Sequence, residues 1–139
     1  MEIAELISAH FEADDRAGVV SVYLFGSHAE GRAHRESDVD IGVLLDRSAV
    51  SSKSERFDLT LRISADLRAT TGIENIDLVV LNDAPPLLGR RIVTEGRRLV
   101  CRDPEIDHAY VRDIQLRAAD IQPFLERMRK IKLEALASR

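Results

Sequence analysis

Tryptophan is absent from this sequence, and the only cysteine is Cys101. A single thiol excludes an intrachain disulfide, and Cys101 reads as a small apolar side chain. None of the four histidines, His10, His28, His34 and His108, has a cysteine or two further histidines at ligand spacing, so no zinc site is expected. No apolar run is long enough to cross a bilayer. The start, Met1-Glu2-Ile3-Ala4-Glu5-Leu6, lacks the basic segment and apolar stretch of a signal peptide. A cytoplasmic protein without membrane contact is expected. An excess of positive charge is also missing, with 20 basic against 24 acidic residues and a formal net charge of −4. Nucleic-acid surfaces are ordinarily basic, so no direct nucleic-acid contact is expected. No internal repeat is visible. Residues 1–139 suit one domain, with a helical C-terminal region over about 104–137 and no room for a separate substrate domain.

Strand and helix signals alternate along the chain. Ile3, Leu6, Ile7, His10 and Phe11 recur at helical spacing. Val19 to Phe25 is rich in Val, Tyr and Phe and reads as a buried strand. A polar loop follows, then a second strand from Val39 to Leu45. Ser52 with Glu55 three residues on forms a capping box. The helix it opens carries Phe57, Leu61, Ala65 and Arg68 on related faces, and Gly72 stops it. Ile76 to Leu81 is a third strand. Pro85-Pro86 opens a helix that Gly96 closes, and Arg98 to Cys101 is a short fourth strand. Asp103 before Pro104 supplies an N-cap and N1 pair for the last helix. Pro123 is expected to kink or divide that helix. The expected class is α/β (α+β), a small mixed sheet flanked by helices with a C-terminal helix.

The informative segment lies between the first two strands. It reads Gly26-Ser27, a polar stretch turning at Gly31, then Ser37-Asp38-Val39-Asp40. In an extended strand, side chains at i and i+2 share a face, so Asp38 and Asp40 project together. Their Cα atoms lie roughly 6.5–7 Å apart, at a rise of about 3.3 Å per residue. Paired carboxylates suit a hard divalent cation, ordinarily Mg²⁺ where phosphates are handled. A Gly-Ser turn lets phosphate oxygens approach backbone N–H groups and a hydroxyl. Asp77 begins the third strand among apolar neighbours, where an acid is costly unless it is paired or binds a metal.

This pattern resembles the Gly-Ser-x10-Asp-x-Asp signature of the DNA polymerase beta-like nucleotidyltransferase superfamily. The run Val22 to Ser27, then Gly31, then Ser37 to Ile41, is similar to the minimal nucleotidyltransferase (MNT) family, and within it to the MntA-like antitoxin group. Ile76-Asp77-Leu78-Val79 resembles that family's third-carboxylate strand, and Arg91 to Val100 its closing helix and strand. The resemblance implies a nucleotidyltransferase fold. It implies that Asp38, Asp40 and Asp77 are catalytic and hold Mg²⁺, as two ions. Asp77 would serve the acceptor-side metal and help deprotonate the incoming hydroxyl. Gly26, Ser27 and Ser37 would bind the nucleotide, with ATP as substrate. A short helical turn after Gly26 would add its dipole for the phosphates. The group's members pair with HEPN-domain ribonuclease toxins and transfer AMP to a toxin tyrosine. The implied partner is therefore a HEPN-domain toxin, in a hetero-oligomer or beside a homo-oligomer.

Other readings stand beside this one. A small-molecule nucleotidyltransferase of the aminoglycoside type generally carries an added helical domain, for which this chain has little length. A non-catalytic toxin-binding subunit has no physical need for clustered carboxylates. A template-directed polymerase conflicts with the size and charge. Arg32 and Arg35 in the loop are suited to phosphate contact, although surface arginines are ordinarily solvated. The cluster Arg90, Arg91, Arg97, Arg98 and Arg102 reads as a solvated face that also suits steering of an acidic partner or the nucleotide. His28 and His34 read as exposed loop residues. On the last helix Ile114, Ala118, Ile121, Leu125 and Met128 form a stripe expected to cover the core. Its end, Met128 to Leu136, is a candidate dimer or partner surface.

Overall fold

The structure, a computed structural model, describes residues 2–14, 16–29 and 38–138. Ser37, Gly31, Arg32, His34 and Arg35 lie outside the described residues. The elements run α1 (Ile3–Ala13), β1 (Val19–Phe25), a single 3-10 turn (Gly26–His28), β2 (Val39–Leu45), α2 (Lys53–Thr71) and β3 (Ile76–Val80). A second 3-10 turn (Leu81–Asp83), α3 (Pro86–Glu95), β4 (Arg97–Cys101) and α4 (Pro104–Ala137) complete the order. The four strands form one mixed sheet in the order β3-β2-β1-β4, in which only the β2–β3 pair is parallel. The expected mixed sheet with flanking helices is the one observed.

Strand parity divides the core between the two faces of the sheet. Val39, Ile41, Val43 and Leu45 point one way, onto Ile7 and Phe11 of α1 and Ile63 and Leu67 of α2. Leu44, Tyr23 and Val79 point the other way, onto Ile92 of α3 and Ile106 and Tyr110 of α4. Gly42 lies on this second face. A Cβ there would sit 3.0 Å from Ile92 Cγ2 and 3.3 Å from Leu81 Cδ2, so α3 closes onto the bare backbone. Period-2 alternation in β2 therefore places Asp40 on the α3 side, one step beyond the point where α3 covers the sheet.

Caps behave as the sequence requires. Ser52 Oγ accepts from the Glu55 N–H at 3.0 Å, and Asp103 accepts from the Glu105 and Ile106 N–H groups. Two expectations are corrected. The face of α2 containing Phe57, Leu61, Ala65 and Arg68 is exposed, and the buried positions are Arg56, Thr60, Ile63, Ser64 and Leu67. Arg56 is held there by a two-point pair with Asp83, Nε to Oδ2 at 2.9 Å and Nη2 to Oδ1 at 2.8 Å. It also donates to the Val50 and Ser51 carbonyls. Pro123 does not divide α4, which runs unbroken through it. Pro123 and Ala119 are both exposed, so the Ala119 carbonyl left without an N–H donor can turn to water.

The start of α4 is pinned by a buried carboxylate. Asp107 is 2% exposed, accepts from Tyr23 Oη at 2.7 Å and is paired with Arg98 Nη1 at 3.0 Å. Burial alone would raise its pKa, but the hydrogen bond from the Tyr23 hydroxyl and the Arg98 guanidinium hold it below the ordinary value. Burial and the same hydrogen bond push the Tyr23 phenol well above its ordinary range. Arg102 reaches back to the end of α1, donating to the Phe11 and Arg16 carbonyls at 2.8 Å and to that of Asp14. Arg98 and Arg102 are thus tethers between elements, which corrects the reading of that cluster as a uniformly solvated face.

Candidate active site

Phe25, Asp40 and Asp77 are neighbours across three strands. Phe25 of β1 pairs with Asp40 of β2, and Asp40 pairs in parallel register with Asp77 of β3. Directly paired residues in a sheet share a face. The two acids therefore stand side by side, with Asp38 immediately before β2 on the same parity. Asp38 and Asp77 are exposed and Asp40 is half-buried. Asp40 carries the electrostatic signature of the cluster. Its pKa is raised, first by burial, then by the charges of Asp77 and Asp38, while His28 pulls it the other way. The structure thus brings together all three acids singled out in the sequence.

Gly26 and Ser27 stand against this cluster. Gly26 has φ +73°, a left-handed conformation that favours glycine. A Cβ on it would land on Asp40 Oδ2. The Gly26–Ser27 turn is packed directly over the central carboxylate, and the bare Cα is what permits it. Gly26→Ala should cost about 1–2 kcal/mol from the left-handed backbone alone, and more if Asp40 cannot move aside. Urea unfolding of the purified variant measures this. Wild-type stability would mean that the turn relaxes away from Asp40.

Two details differ from expectation. The helical turn after Gly26 is three residues long, so it contributes little dipole. What it offers an anion is the Ser27 hydroxyl and nearby N–H groups. His28 is half-buried and within electrostatic reach of Asp40, not an exposed loop residue. The only signal for it was adjacency to Gly26-Ser27, which folds back onto β2.

The donor set tests whether Mg²⁺ fits. Three carboxylates offer only oxygen, as Mg²⁺ prefers, and the raised pKa of Asp40 reflects like charge that a cation would neutralise. Among the described residues no three His, Cys, Asp or Glu side chains are gathered into a group able to hold a metal by themselves. An open row of this kind fits Mg²⁺, which is commonly held by one or two carboxylates with substrate phosphates completing the shell.

Residues 7–105 match the family described as Polymerase beta, Nucleotidyltransferase, and the chain belongs to that family. The more particular likenesses are to toxin–antitoxin proteins. Protein adenylyltransferase MntA of Shewanella oneidensis strain MR-1 is 37% identical over 78 residues, covering 56% of this chain and 51% of MntA. The match spans about half the length of that curated relative. A chain from the crystal structure of a toxin–antitoxin complex with AMP-PNP has a TM-score of 0.62 at 25% identity, covering 91% of this chain and 98% of the other. A chain from a complex of tri-AMPylated Shewanella oneidensis HEPN toxin with MNT antitoxin has a TM-score of 0.56 at 22% identity, covering 91% and 98%. At that identity the likeness speaks for the fold. No helix among the described residues is long and apolar enough to cross a membrane.

Proposed function

We propose that this chain, as one domain over 1–139, is a Mg²⁺-dependent adenylyltransferase. It moves AMP from ATP to a tyrosine hydroxyl of a HEPN-type toxin ribonuclease and so acts as its antitoxin in the cytoplasm. The observation that carries this reading is the in-register pair Asp40–Asp77 with the Gly26–Ser27 turn packed on Asp40. The likeness to a protein adenylyltransferase and to a toxin–antitoxin complex with an ATP analogue supports it.

Each residue then has a defined task. Ser27 and the N–H groups beside Gly26 hold the terminal phosphates, with Ser37 assisting. Asp38, Asp40 and Asp77 would hold the Mg²⁺ ions, which would supply neutralisation of phosphate charge. The acceptor oxygen attacks the α-phosphorus and a new P–O bond forms. The bond to the bridging oxygen breaks, and pyrophosphate leaves with its electron pair. Asp77, on the outer strand β3, faces the incoming hydroxyl and takes its proton.

Asp77→Asn separates binding from chemistry. Loss of a positioned base costs about 10²–10⁴ in rate. We expect transfer from labelled ATP to the partner to fall by that factor, while calorimetry still shows Mg-ATP binding through Ser27, Asp38 and Asp40. Loss of nucleotide binding in step with activity would reassign Asp77 to substrate holding. Transfer to a small molecule with no partner present would favour the aminoglycoside-type alternative.

A further inference from the structure

The stripe expected on α4 is buried only at Ile114 and Ala118, and nothing in the structure shows what covers Phe124, Met128 and Ile131 beyond them. The outer edge of β3 is different, because it adjoins the candidate site. β3 is the last strand of the sheet, and Asp77 lies on it in register with Asp40. The Val39 N–H donates to the Asn75 carbonyl at 2.8 Å. Alternation along a parallel ladder then turns the peptide groups of Asn75, Asp77 and Val79 toward β2, and those of Ile76 and Leu78 outward. The Ile76 carbonyl agrees, since it accepts from Arg68 Nη2 at 3.3 Å. The outward N–H and C=O of Leu78 have no partner among the described residues.

A cavity of about 270 Å³ wraps this edge, lined by Val79 and Val80 of β3, Phe57 of α2 and Leu88 of α3, with Ala84 and Pro85 between them. Val80 packs on the α2 side of the sheet and Val79 on the α3 side, so the cavity spans the strand's rim. Asp83, also in its wall, is engaged by Arg56. Phe57 is 61% exposed, a large apolar ring left in water beside an open strand. A sealed apolar cavity of about 150 Å³ already holds benzene, so this one seats a single aliphatic or aromatic side chain. Solitary edges are ordinarily blunted by charge, proline or a bulge. Leu78, Val79 and Val80 carry none of these.

Position along the strand decides the occupant. Val79 and Val80 lie two and three residues beyond Asp77, roughly 6.6–10 Å at a rise of about 3.3 Å per residue. A chain extended along the edge with a hydroxyl at Asp77 thus lays a neighbouring side chain over the cavity. A second copy paired edge to edge about Leu78 would instead bring the two Asp77 carboxylates within roughly 8 Å, from a strand spacing of about 4.8 Å and the same rise. It would set two acidic clusters against each other in one sheet. We propose that the β3 edge receives an extended segment of the partner protein, which adds a strand at Leu78 and seats one apolar side chain in the cavity, two or three residues from its acceptor tyrosine. The proposal rests on the reading above in taking that segment to carry the acceptor hydroxyl. Strand addition itself needs no transfer chemistry.

The probes are four labelled nine-residue peptides of Ser and Thr around a central Tyr, each with one Leu placed two or three residues before or after it. Fluorescence anisotropy with the full chain, without nucleotide, should show one of them binding at least ten-fold more tightly than the Leu-free peptide. N-methylation of that peptide, one amide at a time, should abolish binding at every second position, because only alternate N–H groups of an added strand face β3. Phe57→Ala should weaken the same peptide at least five-fold, and circular dichroism should show the fold retained, since the ring is mostly exposed. With labelled ATP, Phe57→Ala should raise the KM for the peptide's tyrosine and leave that for ATP unchanged. No advantage for any Leu position, N-methyl losses without the period of two, or full binding by Phe57→Ala overturns the proposal. So does a wild-type dimer in sedimentation that Phe57→Ala dissolves, which gives the edge to a second copy. Mg-ATP calorimetry on the same proteins keeps the two readings apart. Strand addition without nucleotide binding leaves the docking edge intact and removes the transferase reading. Nucleotide binding without peptide docking does the reverse.

Discussion

Replacing Asp38 and Asp40 together by asparagine should abolish AMP transfer and leave the metal-free protein at least as stable as before. The two halves of this result have one cause. Asp40 is half-buried and lies among the charges of Asp77 and Asp38, so its pKa is raised. A carboxyl whose folded pKa lies above its unfolded value opposes folding once it ionises, and the penalty is relieved as the pH falls through the folded value. The amides keep the shape, remove the repulsion and discard the ligands for a cation. Transfer measured with labelled ATP should fall by at least about 10³, the scale of losing charge stabilisation at a reacting phosphate. The melting temperature without metal should hold or rise. Wild-type transfer in the double variant would sink the assignment. An unmodified partner whose toxicity is suppressed equally by both forms would favour a binding-only antitoxin.

Asp107→Ala should unfold the protein far more readily than any change in the acidic cluster. The substitution leaves the Tyr23 hydroxyl and the Arg98 guanidinium without the carboxylate that joins β1, β4 and α4. Breaking a buried pair costs roughly 3–5 kcal/mol, and about 3 is expected here because Arg98 is half exposed. For a chain of this size that lowers the melting temperature by about 10 °C. The pH dependence gives an independent check. The folded pKa of Asp107 is lowered, so its contribution is present above the unfolded value of about 3.9. It is lost as the pH falls through the folded value. The stability gap between wild type and Asp107→Asn should therefore shrink in acid. A gap independent of pH would mean that packing, not charge, holds this corner together.

The misread helix α2 shows where a single sequence runs out. The expected face, Phe57, Leu61, Ala65 and Arg68, is displaced by one residue from buried Arg56, Thr60, Ser64 and Leu67. One residue is a rotation of about 100° in a helix. Hydrophobic periodicity favoured the large apolar side chains. The fold instead buries an arginine, because Asp83 and two loop carbonyls satisfy it. No local pattern announces a partner 27 positions away. The single helix across Pro123 was hidden for a similar reason. Proline's local penalty was legible, whereas the packing of α4 on α3 and the exposure of the lost carbonyl were not.

The amino-acid sequence by itself determined the order of strands and helices, the caps at Ser52 and Asp103, and the shared face of Asp38 and Asp40. These follow from local propensity, side-chain chemistry at helix ends and the period of an extended chain. It also supplied the family through the spacing of Gly26-Ser27, Asp38, Asp40 and Asp77. Only the tertiary structure decided that Asp77 stands beside Asp40, that Gly26 lies over Asp40's carboxylate and that Arg98 and Arg102 tie elements together. Only it showed that the end of α4 is left uncovered. Each of these depends on strand register or helix packing between segments distant along the chain. Such contacts are settled by the summed burial of two sheet faces, which no single window of sequence contains.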